Sequence, residues 1–193
     1  MTFKQKLLRL FYPLLMRLSA SRRRILENTG GQVPVISFYS LQTLANNGQP
    51  FVFEQLKGRK VLLVNTASDC GFTAQYAELE QLSRQFDNIL EVIAFPTNDF
   101  KEQEKGTDEE IDTFCKMNYG ITFPIMKKSG VLKAAGQNTV FEWLTNKDKN
   151  GWNDKEPSWN FSKYLVSKDG VLTHYFDPAV SPMDEEVKKA IKQ

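Results

Sequence analysis

Two apolar runs constrain this chain more than any other feature. Lys60–Asn65 (KVLLVN) is a continuous run after Lys57-Gly58, and Leu90–Phe95 (LEVIAF) is nearly so. Neither shows the alternation of a strand with one wet face, so each reads as a strand buried on both sides. Between them, Thr73–Phe86 sets Tyr76, Leu79, Leu82 and Phe86 at helical spacing. A buried strand, a helix and a second buried strand point to a sheet covered by helices.

The remaining elements fit that plan. Val35–Leu41 and Pro50–Phe53 are strand-like runs around Asn46-Asn47-Gly48, a hairpin-type turn. Thr107–Tyr119 is predicted helical, with Thr107 and Glu110 forming a capping box. Phe123–Met126 is predicted as a short strand introduced by Pro124, and Val140–Leu144 as a short helix. Lys163–Ser167 and Val171–Phe176 flank Lys168-Asp169-Gly170, a second hairpin. Ser181-Pro182-Met183-Asp184 opens the last helix, with Ser181 as N-cap and Pro182 in the first position. This order predicts an α/β domain with a central mixed β-sheet flanked by helices, as in thioredoxin-like folds. A chain of 193 residues, 41% apolar and 25% charged, can bury the core of one such domain. His174 falls in a strand and is expected on the sheet surface.

The first residues follow a different pattern. In residues 3–18 (FKQKLLRLFYPLLMRL), Phe3, Leu7, Leu10, Leu14 and Leu18 share one helical face, and Lys6, Arg9 and Arg17 lie on the other. Residues 1–27 hold seven basic side chains and one acidic, a net +6, whereas the other 166 residues carry net −4. The whole chain is only +2, which gives no case for a nucleic-acid partner. The segment is too short and too charged to span a bilayer. An interfacial helix, a helix packed on the body, and a signal or anchor all remain open. Against a signal, Arg9 and Arg17 interrupt the apolar region, and Leu18-Ser19-Ala20 is a poor cleavage site. Residues 27–34 (ENTGGQVP) read as a linker. The expected division is therefore a basic amphipathic extension with its linker, 1–34, and a domain, 35–193.

Chemistry centres on Cys70 and Cys115, separated by 44 residues. Two distant cysteines with the lone His174 make neither a disulfide scaffold nor a metal site. They can be buried apolar side chains or a redox pair. Cys70 sits between the strand Lys60–Asn65 and the helix beginning near Thr73. Unpaired N–H groups at such a turn favour a thiolate, the reactive form. Asp69 beside it works in the opposite direction.

Three segments then carry a resemblance. Asn65–Thr73 (NTASDCGFT) is similar to the first signature of the glutathione peroxidases, whose active residue is selenocysteine or cysteine. Phe95–Phe100 (FPTNDF), followed by Gln103-Glu104, resembles the second. Trp159–Val166 (WNFSKYLV) resembles the third. The similarity covers about residues 35–192. The chain departs at Thr97, which stands for a common cysteine, at Asp99, which stands for Gln, and at Lys101-Glu102, which stand for small residues.

The resemblance implies a cysteine-type thiol peroxidase with Cys70 as the attacking residue and Gln103, Trp159 and Asn160 as its hydrogen-bonding partners. Trp, Gln and Asn supply N–H donors that do not titrate, so no histidine base is needed. Cys115 matches the resolving cysteine of the thioredoxin-dependent branch, which would condense with a Cys70 sulfenic acid. A helical cysteine would need local unwinding to reach it. Phe123-Pro124 resembles the proline facing the active site in thioredoxin-like folds. The implied substrates are hydrogen peroxide and organic or lipid hydroperoxides. The implied reductant is thioredoxin, with glutathione or a sensor/relay role as the alternatives, and neither cofactor nor metal is called for. The short stretch between Val140 and Trp159 predicts a monomer. The expected location is cytoplasmic with a peripheral membrane contact through residues 3–18, secretion and anchoring being left open.

Overall fold

The computed structural model describes residues 1–19 and 24–193. Strands β4 (Lys60–Thr66) and β5 (Leu90–Pro96) pair in parallel at one end of a five-stranded sheet of order β1-β7-β6-β4-β5. Strands β6 (Lys163–Val166), β7 (Leu172–Phe176) and β1 (Ile25–Glu27) add antiparallel. The sheet is therefore mixed, as expected of a thioredoxin-like fold.

Strand periodicity builds the two cores. Leu62 and Val64 face one side of the sheet with Val92 and Ala94, while Val61 and Leu63 face the other with Ile93 and Phe95. The first side is covered by α2 (Gln75–Gln85), α3 (Asp108–Tyr119) and α6 (Glu185–Lys192), through Leu79, Ile111, Val187 and Ile191. Both cysteines lie in this core. The second side is covered by α4 (Thr139–Leu144), with Phe141 and Trp143. A four-residue helix α5 (Lys147–Asn150) follows it. The capping box at Thr107 forms as predicted: Thr107 Oγ1 accepts the Glu110 N–H, and the Glu110 carboxylate accepts the Thr107 N–H.

Several expectations are corrected. Val35–Leu41 is not a strand: Phe38–Ser40 forms a 3-10 turn, and the hairpin consists of β2 (Gln42–Leu44) and β3 (Pro50–Val52). Phe123–Met126 makes only isolated bridges, Ile125 to Ala94 and Met126 to Ala45. The last helix starts one turn late, with Asp184 as its N-cap; Ser181 instead donates to Glu78 at 2.7 Å. His174 is buried, because β1 lies alongside β7 and pairs Glu27 with it. The first strand of the sheet thus lies inside the stretch expected to be an extension. The short run Ile25–Glu27, which the sequence reading did not recognise as a strand, gave no warning of it.

The amphipathic segment is a helix, α1 (Phe3–Ser19), and it is seated on the body. The Met1 amino group donates to Asn118 Oδ1 at 3.4 Å, Tyr12 donates to Glu78 at 3.0 Å, and the Arg9 guanidinium lies over the Tyr119 ring. Ala20 of the poor cleavage site and the arginines at 22 and 23 lie outside the described residues.

Candidate active site

The Cys70 turn is shaped by its own hydrogen bonds. After β4 the chain turns through residues 67–74 before α2 begins at Gln75. Thr73 Oγ1 accepts the Cys70 N–H at 3.0 Å and lies 2.9 Å from the Ala67 carbonyl, which closes the turn. The same winding points the Phe72 N–H at Cys70 Sγ, 3.4 Å away. That amide is the unpaired donor expected of a turn entering a helix.

The other donors arrive from a second loop. The side chains of Trp159 and Asn160 lie beside Cys70 and act to lower its thiol. Their loop is pinned by Asn65 at the end of β4. Asn65 Nδ2 donates to the Trp159 carbonyl at 3.1 Å, and the Asn65 Oδ1 and carbonyl accept the N–H groups of Ser162 and Phe161. Phe161, next to Asn160, adopts φ of 68°, a costly conformation for a bulky side chain. Lys163 holds it there: its Nζ donates to the Phe161 carbonyl at 2.8 Å and to Gln75 Oε1 at 2.9 Å.

Gln103 comes from a third segment. Its carbonyl accepts the Asp69 N–H at 3.0 Å, and its Oε1 accepts Asn160 Nδ2 at 3.0 Å. The two residues before it, Lys101 and Glu102, both have φ of 52°. These are the positions where small residues were expected, and their left-handed backbone is the reason small residues suit them. Lys101 also places its ammonium 5.8 Å from the Trp159 ring centroid.

Burial dominates the electrostatics. Cys70 is fully buried, and this pushes its thiol above the ordinary cysteine value. The Phe72 N–H, Trp159 and Asn160 pull it down, while Asp69 pushes it up further. Lys4 of α1 pairs with Asp69. Cys115, buried in the middle of α3, is pushed up to about 12, mainly by burial. The two cysteines are free thiols, so the structure holds the reduced form.

The site thus brings Cys70, Gln103, Trp159 and Asn160 together and sets Cys115 in the adjoining core. Sequence reasoning missed three participants. Asn65 stood in the first signature, but nothing indicated that its side chain pins the third. Lys163 was expected as an ordinary strand residue. Glu104 follows Gln103 and is almost fully buried, with Ser68 donating to its carboxylate at 3.0 Å. Burial raises its carboxyl to about 7. A buried charge has no sequence signal by itself.

The chain has relatives among known proteins. The family model for glutathione peroxidase matches residues 38–145. The chain is 42% identical to the glutathione peroxidase-like peroxiredoxin HYR1 of Saccharomyces cerevisiae, over 81% of this chain and 97% of that protein. It is 42% identical to the glutathione peroxidase-like peroxiredoxin GPX5 of Chlamydomonas reinhardtii, over 80% and 96%. Among solved structures it resembles T. cruzi GPX1, with a TM-score of 0.63 at 27% identity over 81% of this chain and 94% of that one. A thioredoxin-family thiol:disulfide interchange protein from Chlorobium tepidum shares the fold, with a TM-score of 0.56 at 16% identity over 83% and 97%.

Proposed function

The chain belongs to the glutathione peroxidase family and is a peroxidase; from that premise we propose that Cys70 is its attacking thiol and that thioredoxin restores it. The Cys70 thiolate attacks one oxygen of the peroxide and the O–O bond breaks. Sulfur is oxidised to a sulfenic acid, and the departing oxygen takes a proton to leave as water or an alcohol. The observation that carries this reading is the Phe72 N–H aimed at Cys70 Sγ at 3.4 Å, with the side chains of Trp159 and Asn160 beside it acting to lower its thiol. Donors already aimed at the sulfur stabilise its anion and the charge that develops on the leaving oxygen. They oppose a burial that on balance still raises the thiol above the ordinary cysteine value.

Gln103 acts through Asn160 by accepting from its amide. Cys115 then attacks the sulfenic sulfur; a disulfide forms and water leaves. For that step the middle of α3 must open, since Cys115 is packed in the core. Two observations support thioredoxin as the reductant. A second thiol lies in the same core as Cys70, and several relatives are named peroxiredoxins. The protein acts as a monomer, and residues 3–18 contact a membrane surface. Peroxide consumption with reduced thioredoxin and then with glutathione tests the assignment. Faster turnover with thioredoxin is expected, and faster turnover with glutathione would reverse the choice of reductant.

A further inference from the structure

Helix α1 has two faces of use, and the fold occupies one. At 100° per residue, Gln5, Leu8, Tyr12 and Leu15 share the face turned toward the body, and each is half-buried or buried. Phe3, Leu7, Leu10, Leu14 and Leu18 lie on the opposite face with Phe11 beside them, exposed from 43% at Leu7 to 83% at Phe3. Such a contiguous apolar stripe marks an interaction surface. Exposed Lys6 and Arg17 border it. Among the described residues no helix is long and apolar enough to cross a membrane, and this pattern suits a helix lying in the interface plane.

The seat of α1 determines what lies next to that surface. Leu15 rests against Gly71, beside Cys70, so closely that a Cβ there would come within 2.9 Å of Leu15 Cδ2. Gln5 donates to the Ser68 carbonyl at 3.2 Å. A cavity of about 650 Å³ on one side of the helix reaches Gln103, and one of about 480 Å³ on the other reaches Phe72 and Trp159. Strand β1 begins at Ile25 and is bonded into the sheet, so the helix stays tethered to this rim.

We propose that the outward stripe of α1 docks on an anionic lipid bilayer and holds both cavities beside Cys70 at the level of the lipid headgroups. This rests on the membrane contact proposed for residues 3–18 and adds its orientation. The apolar stripe enters the acyl boundary, and the exposed Lys6 and Arg17 that border it meet the lipid phosphates. A hydroperoxide on an acyl chain then reaches Cys70 without crossing bulk water. A second copy of the chain fits less well, because pairing stripe on stripe would bring like charges together.

The test compares the wild type with a Leu10→Glu/Leu14→Glu variant, both positions being exposed. Both proteins are sedimented with phosphatidylcholine vesicles with and without about 30 mol% phosphatidylglycerol. Turnover is measured with hydrogen peroxide in solution and with a phospholipid hydroperoxide held in the same vesicles. The wild type should bind the anionic vesicles and leave them at high salt. The variant should bind more than about tenfold more weakly and lose vesicle-borne turnover in step, with hydrogen peroxide turnover kept within about twofold. A wild type that ignores all vesicles, or a variant that binds equally, overturns the docking surface. A variant that loses binding but keeps vesicle-borne turnover overturns the orientation. A dimer in the absence of vesicles, abolished by the variant, overturns the proposal in favour of a second copy. If the wild type fails to turn over hydrogen peroxide, the Cys70 mechanism fails, and the binding arm still decides the surface.

Discussion

Asn160 Nδ2 donates to Gln103 Oε1 at 3.0 Å. The two amides therefore act as one unit, with Asn160 facing Cys70 and Gln103 steadying it from behind. Asn160→Ala should slow Cys70 oxidation by about 100–1000-fold, the scale of losing one preorganised donor. Gln103→Ala should cost about tenfold. The double variant should be little worse than Asn160→Ala alone, because coupled residues do not add. Rapid mixing with peroxide measures all three; fully additive losses would separate the two amides.

Cys115 matters after the first chemical step. Cys115→Ser should reduce one equivalent of peroxide per molecule and then stall as a sulfenic acid under thioredoxin. In the oxidised wild type, peptide mass spectrometry without reduction should find a Cys70–Cys115 bond. The amides of α3 should then exchange faster than in the reduced form, since the bond requires the helix to open. Full thioredoxin-linked turnover by Cys115→Ser would reduce Cys115 to a core residue.

Glu104 makes stability depend on pH. Its folded carboxyl is raised to about 7 from an ordinary 4.5, so the native state holds a proton that the unfolded state releases. Its contribution is complete below about pH 4.5 and is lost as pH rises through about 7, up to about 3 kcal/mol. Glu104→Gln removes this loss. Urea unfolding at pH 5 and pH 8 should show the wild type losing stability relative to the variant. Parallel changes would mean that Glu104 is not held protonated.

Lys163 acts in the next window. Burial lowers its ammonium to about 7 from 10.5, so between those values the unfolded state binds more protons. Stability from this group rises with pH across that window. Lys163→Met should flatten the rise between pH 7.5 and about 9.5 and, by freeing Phe161, slow Cys70 oxidation. An unchanged oxidation rate would limit Lys163 to folding alone.

Much of this was legible in the sequence where local pattern and chemistry coincide. The buried runs of β4 and β5 announce themselves, because a strand covered on both faces has no polar positions to spare. The Thr107 capping box is a local signal and forms as read. The motif residues Cys70, Gln103, Trp159 and Asn160 do converge. What stayed hidden depends on contacts distant in the chain. Asn65 pins a loop 94 residues away, and Glu104 is buried against Ser68, 36 residues before it. Helix α1 was read from its most apolar face, yet it docks through the mixed face of Gln5, Tyr12 and Leu15. Amphipathic pattern shows that a helix has a preferred side. It cannot show that a second side fits the body.

Every step of the proposed reaction depends on Cys70 being the residue that peroxide oxidises. The most direct test of that role is peroxide consumption coupled to reduced thioredoxin by wild type and Cys70→Ser, with matched circular dichroism spectra. The wild type should turn over steadily and a folded Cys70→Ser should show nothing above background, because a hydroxyl is a far weaker nucleophile than a thiolate. Substantial turnover by the folded variant would contradict the role of Cys70.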